Sequence, residues 1–240
     1  MRDFNIMADR IEELISRQRQ LIYDASHELR SPLARLNVAL DLGRKRKGDD
    51  PAFDHMEQDL QRLSKMIERL LTLATLDTSV APVQMKRMNL TEVVTNIVRD
   101  AEFESDEHDG IIKLTADEQY SIQGNEELLY SAIENVIRNA IRYTAAQTLV
   151  EIELQGRYTK DTAYVCLVVR DHGPGVPERE LANIFQPFYR VADARDRQSG
   201  GTGLGLAIAD RVVRIHGGVI HAENAIPQGL RIEIHLPTLA

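Results

Sequence analysis

The sequence predicts an α+β protein, a helical hairpin that pairs into a dimeric four-helix bundle and is followed by an α/β sandwich. Two observations carry this prediction. An apolar heptad seam runs through residues 11–78, and from residue 89 it gives way to strand-like runs interleaved with amphipathic helices. A chain of 240 residues is long enough for both parts to bury a core.

In the first helical segment Ile15, Ile22, Leu29 and Leu36 recur every seven residues, and Ile11, Gln18, Ala25, Pro32 and Ala39 form the companion row. Gly43, Gly48, Asp49, Asp50 and Pro51 mark a turn. The second segment repeats the seam with Phe53, Met56, Leu60, Leu63, Ile67, Leu70 and Ala74. A two-helix hairpin has too little core to stand alone, and pairing two of them solves this, so a homodimer is expected. Residues 79–88 lose the heptad and read as a linker. Asn89-Leu90-Thr91-Glu92 resembles a capping box that opens a helix to about Ala101. Extended segments are expected near 111–115, 119–123, 148–155, 163–170, 218–223 and 230–236, with helices near 126–143 and 205–216. Gly217 suits the end of the last helix.

Composition narrows the function. A formal net charge of −8 disfavours nucleic acid as a partner, since phosphate contacts demand basic clusters. The basic run Arg44–Lys47 reads as a solvated helix end. With 28% charged residues and no run of about 18 apolar ones, nothing in the chain reads as a membrane span or a signal peptide. The single cysteine, Cys166, sits in an apolar run and reads as a buried thiol in a reducing compartment.

Three groups of residues carry chemistry. His27 falls two residues from each of the seam positions Ala25 and Leu29, hence on the outward face of the bundle. Glu28 beside it can accept the Nδ1 proton and leave Nε2 as a nucleophile, and Pro32 removes a helix donor and bends the turn. On the helix near 126–143, Asn135, Asn139 and Arg142 fall within about 60° of the helical wheel, opposite Leu129, Ala132, Ile133, Val136, Ile137 and Ala140. Such a stripe could be a solvated face, or it could hold Mg²⁺ together with phosphate oxygens. Two glycine turns favour the second reading. Asp171-His172-Gly173-Pro174-Gly175 follows an apolar strand and offers a carboxylate acceptor suited to the exocyclic amine of adenine. Gly200-Gly201-Thr202-Gly203-Leu204-Gly205-Leu206 runs into a helix, where backbone N–H groups can face phosphate. Between the turns, Phe185, Pro187, Phe188, Tyr189 and Arg190 precede the polar run 192–199, which has the composition of a lid.

These motifs, in this order, resemble those of the cytoplasmic catalytic half of a two-component sensor histidine kinase. Residues 26–33 resemble the phosphoacceptor box, 134–143 the asparagine box, 171–175 the first glycine box, 184–190 the phenylalanine box and 201–206 the second glycine box. Residues 178–208 are most similar to the Cpx-type envelope-stress sensor kinases, and residues 1–10 resemble the end of a HAMP relay. The resemblance implies a phosphoacceptor hairpin over 11–78, a linker over 79–88 and an ATP-binding domain of the GHKL (Bergerat) fold over 89–240. It implies His27 as phosphoacceptor, Glu28 as its base, and Ser31, where many members have Thr, as a residue of regulator dephosphorylation. Asn139 is then the principal Mg²⁺ ligand, while Asn135 and Arg142 contact phosphates and Tyr143 lines adenine. Asp171 takes the adenine amine, Gly173 and Gly175 admit the backbone, and Arg190 faces the terminal phosphate. Gly201, Thr202, Gly203, Leu204 and Gly205 shape the lid turn. ATP and Mg²⁺ are the implied cofactors and a response regulator the implied partner. The implied setting is the cytoplasmic side of a longer protein anchored in a bacterial inner membrane. Alternative readings are a phosphatase-biased dimeric scaffold and another ATPase of the same nucleotide-binding superfamily; the hairpin argues against the latter.

Overall fold

Asp50 and Pro51 start the longest helix among the described residues. The Asp50 carboxylate accepts a hydrogen bond from the Ala52 N–H (2.9 Å), and Pro51 occupies the first helical position, where a missing N–H costs nothing. The structure is a computed structural model and describes residues 29, 32–45, 50–78, 83–104, 111–144, 148–158, 163–191 and 201–238. It divides into two units, Met1–Ala81 and Pro82–Ala240.

The first unit contains α1 (residues 32–45) and α2 (Pro51–Thr78). Their join is held at close quarters. A Cβ on Gly43 would lie 3.0 Å from the Phe53 ring, and Arg44 pairs with Asp54 and with Glu57 (3.0 Å). Of the seam residues, Leu29, Leu36, Met56 and Leu63 remain between 42% and 55% exposed in the single chain.

The second unit begins earlier than the sequence indicated. Lys86–Asn89, whose first three residues read as linker, form strand β1, which pairs antiparallel with β3 (Ser121–Gly124) and buries Met88. Asn89 then caps α3 (Leu90–Glu104), its side-chain oxygen accepting from the Glu92 N–H at 3.3 Å. The main sheet has the order β2-β4-β5-β7-β6, comprising β2 (Ile111–Ala116), β4 (Leu149–Tyr158), β5 (Ala163–Arg170), β6 (Val219–Asn224) and β7 (Leu230–Pro237). β2 runs parallel to β4, and every other neighbour pair is antiparallel.

Period-2 patterning separates the two faces of this sheet. Leu230, Ile232, Ile234 and Leu236 of β7 are buried, and so are Val150, Ile152 and Leu154 of β4 and Val165, Leu167 and Val169 of β5. Against this core pack α4 (Glu126–Tyr143) and α5 (Gly205–Ile215). The α4 residues buried there are the six that the 3.6-residue period placed on its core face. α5 ends in a Schellman motif, with Gly217 N–H donating to the Arg214 carbonyl, Gly218 N–H to that of Val213, and Gly217 at φ +69°.

His216, at the end of α5, fastens the start of α4. Its Nδ1–H donates to the Val212 carbonyl (2.7 Å), and Nε2 accepts from the backbone N–H of Asn125 (2.9 Å). Asn125 in turn caps α4, accepting from the Leu128 N–H (3.0 Å). This arrangement requires the neutral imidazole, and burial holds the His216 pKa below its ordinary value.

Candidate active site

The stripe on α4 faces the second glycine turn. A Cβ on Gly205 would lie 2.9 Å from Asn135 Oδ1, and one on Gly201 would lie 2.9 Å from an Arg142 guanidinium nitrogen. Asn135 is fixed by donating to the Ser131 carbonyl (2.9 Å). Asn139, half-buried one turn further on, commits its amide to no group among the described residues. A neutral amide oxygen held there suits Mg²⁺, which takes few protein oxygens and keeps phosphate and water as its other ligands.

The Asp171 turn closes the other side. The Asp171 carboxylate is 3% exposed, and its Oδ1 accepts from the N–H of Gly173 (2.9 Å) and of Leu230 (3.0 Å). Both donors go to one oxygen, and Oδ2 receives no hydrogen bond among the described residues. Burial raises the carboxyl pKa, while the Leu230 and Gly173 N–H groups and the nearby His172 oppose the rise. A desolvated acceptor with one committed and one open oxygen can receive an N–H from a ring amine. Gly173 brings this turn onto the end of α4, where a Cβ would meet the Tyr143 carbonyl oxygen at 2.2 Å. Gly175, at φ +74°, lies against Asn224.

The structure therefore brings together Asn135, Arg142, Tyr143, Asp171, Gly173, Gly175, Gly201 and Gly205. Gly203 adopts φ +71° under Phe188, which is itself at φ +64° and donates its N–H to the Gly203 carbonyl (2.9 Å). Arg190 and Thr202 are half-buried beside this crossing. Leu204 is fully buried, so only its backbone can serve a ligand. His27, Glu28 and Ser31 lie outside the described residues.

Several positioning residues had no sequence signal. Thr144 Oγ1 accepts from the His172 N–H (3.2 Å), and Glu151 pairs with the His172 ring (2.9 Å). Asn224 grips Val176 twice, accepting from its N–H (2.9 Å) and donating to its carbonyl (2.7 Å).

Known proteins carry the same two parts in the same order. Residues 17–79 match the His Kinase A (phospho-acceptor) domain, and residues 124–240 match the histidine kinase-, DNA gyrase B- and HSP90-like ATPase domain. The sensor histidine kinase CpxA of Escherichia coli (strain K12) is 36% identical over 98% of this chain. The chain belongs to the sensor histidine kinase family. It spans about half the length of the CpxA proteins it matches, 50% in this case. Among solved structures, the mycobacterial sensor histidine kinase MprB is 29% identical with a TM-score of 0.55, covering 64% of this chain and 97% of that one. Full-length ShkA in complex with AMPPNP, 20% identical with a TM-score of 0.76 over 92% of this chain and 46% of that one, shares the histidine kinase fold. Among the described residues, no helix is long and apolar enough to cross a membrane.

Proposed function

We propose that this chain autophosphorylates His27 with the γ-phosphoryl group of ATP and passes that group to an aspartate of a response regulator. The observation that carries the reading is the buried Asp171 carboxylate with an open oxygen, opposite an α4 stripe packed on the glycine turn at Gly201–Gly205. In this reading Asp171 receives the adenine amine, and Gly173 and Gly175 let the backbone approach the base. Arg142 and Asn135 orient phosphate oxygens, with Arg190 toward the terminal one. Asn139 holds Mg²⁺, which neutralises charge on the phosphates when bound. Glu28 takes the His27 Nδ1 proton and leaves Nε2 to attack. Positioning supplies most of the rate, because phosphoryl transfer asks little covalent chemistry of the protein.

The catalytic unit must reach His27, which gives the segment between α2 and β1, the part of the sequence-read linker 79–88 that lies before the strand, the role of a hinge. The half-exposed seam of Leu36 and Leu63 supports assembly as a homodimer. Ser31 keeps the hydroxyl that regulator dephosphorylation would use. The longer protein to which such a chain belongs would be anchored in a membrane, with this portion on the cytoplasmic side.

Incubation with γ-labelled ATP tests the assignment. The label should be acid-labile, stable to alkali and absent from His27→Gln. Alkali-labile label, or label that survives the substitution, would overturn it. Measuring ATP turnover and regulator dephosphorylation side by side separates a kinase from a phosphatase-biased scaffold.

A further inference from the structure

The face of the sheet turned away from α4 and α5 carries a second cluster with ligand chemistry. Cys166 of β5 stands directly opposite His235 of β7, and Glu233 lies two residues along β7 on the same face. One ligand atom from each, thiol, imidazole and carboxylate, lies within 4.8 Å of the others, the only such cluster among the described residues. His235 Nε2 and Glu233 Oε2 are already 3.1 Å apart. Tetrahedral Zn²⁺ with Zn–S of about 2.3 Å and Zn–N of about 2.05 Å needs ligand atoms about 3.5 Å apart. Closing this cluster therefore takes side-chain shifts of about 1 Å and no change in register.

The surroundings hold the ligands in place. Arg231 engages Glu233 Oε1 and leaves Oε2 to the cluster. The His235 ring lies 5.1 Å from that of Tyr164, tilted by 32°, which fixes its plane. Cys166 is buried, while Glu233 and His235 are half-buried, so a cation arrives from solvent over the two polar residues. We propose that Cys166, Glu233 and His235 form a Zn²⁺ site on the outer face of the sheet, with the fourth corner open to water. A thiolate and a carboxylate balance the two positive charges, and the mixed S, N, O donor set suits zinc over magnesium or calcium. Cys166 is five residues before Asp171, about 16 Å along an extended strand, so the site is separate from the nucleotide site.

The test uses the whole chain titrated with Co²⁺ as a spectroscopic probe, then with Zn²⁺ in competition. Cys166 is the only cysteine in the sequence, so a thiolate-to-cobalt charge-transfer band can arise only here. We expect that band at one equivalent, its displacement by Zn²⁺, and at least a tenfold weaker affinity in His235→Gln and Glu233→Gln. Circular dichroism of each variant confirms folding. Absence of the band in the unsubstituted chain overturns the site, and so does a band of undiminished affinity in folded His235→Gln.

Discussion

Gly229 lies so close to Asp171 that a Cβ at 229 would sit 1.9 Å from the Asp171 carbonyl oxygen. The next residue, Leu230, accepts from the Asp171 N–H with its carbonyl (3.0 Å) and donates its own N–H to Asp171 Oδ1 (3.0 Å). The start of β7 is thus the clamp that aims the carboxylate. Gly229 also adopts φ +110°, a conformation that only glycine enters freely.

Replacing Gly229 by alanine should therefore separate β7 from Asp171. Strain of about 1–3 kcal/mol is expected from the backbone alone. Thermal unfolding should shift down, and affinity for a non-hydrolysable ATP analogue should fall at least tenfold. Unchanged affinity in calorimetry would mean that the clamp does not set the carboxylate.

Asp171→Asn separates binding from folding. The amide oxygen can still accept from Gly173 and Leu230, which in the proposed nucleotide-binding mode leaves an NH₂ donor facing the donor of the adenine amine. The cost of that mismatch is about 1–3 kcal/mol, so nucleotide affinity should fall roughly 5- to 150-fold. The melting temperature should hold or rise, because the substitution removes a desolvated carboxylate whose burial raises its pKa. Loss of folding together with binding would show that the charge serves the fold.

The parts of the fold that follow from local periodicity were legible in the sequence. The six buried residues of α4 obey a 3.6-residue pattern, and β7 alternates strictly. The Asp171 and Gly201–Gly205 turns were legible as turns because their glycines interrupt the strand and helix patterns around them. Strand β1 was not, because Lys86-Arg87-Met88-Asn89 has a single apolar residue and becomes a strand only by pairing with residues 121–124. The grip of Asn224 on Val176 spans 48 residues, and its polar atoms meet backbone, which leaves no pattern in either segment. Gly229 contributes a close approach set by tertiary structure, which no nearby residue announces.

His216 should make stability depend on acidity. Burial lowers its pKa in the folded state below the ordinary 6.5, so below that pH the unfolded chain binds a proton that the folded chain resists. Stability then rises with pH across this window. Its contribution is fully present above 6.5 and is lost as pH falls toward the depressed folded value. Urea midpoints taken at about pH 7.5 and about pH 5.5 should differ more for the unsubstituted chain than for His216→Phe. An equal acid-side loss in both would assign the dependence to other groups. The variant also gives up the bond to the Asn125 N–H, so its midpoint at the higher pH should be lower.

The seam on the hairpin makes a quantitative claim about assembly. Leu36 is 51% exposed and Leu63 is 49% exposed in the single chain, on the rows where heptad counting places a partner. A two-fold interface uses each residue twice. Burying a leucine is worth about 1.5–3 kcal/mol, so losing both copies should remove at least about 3 kcal/mol, more than a hundredfold in the dimer constant. Leu36→Asp should therefore shift the sedimentation equilibrium toward monomer at micromolar concentration. Affinity for the ATP analogue should not change, since the substituted helix belongs to the other unit. A dimer constant that stays within a few-fold of the unsubstituted chain would place the interface on a different face of the hairpin.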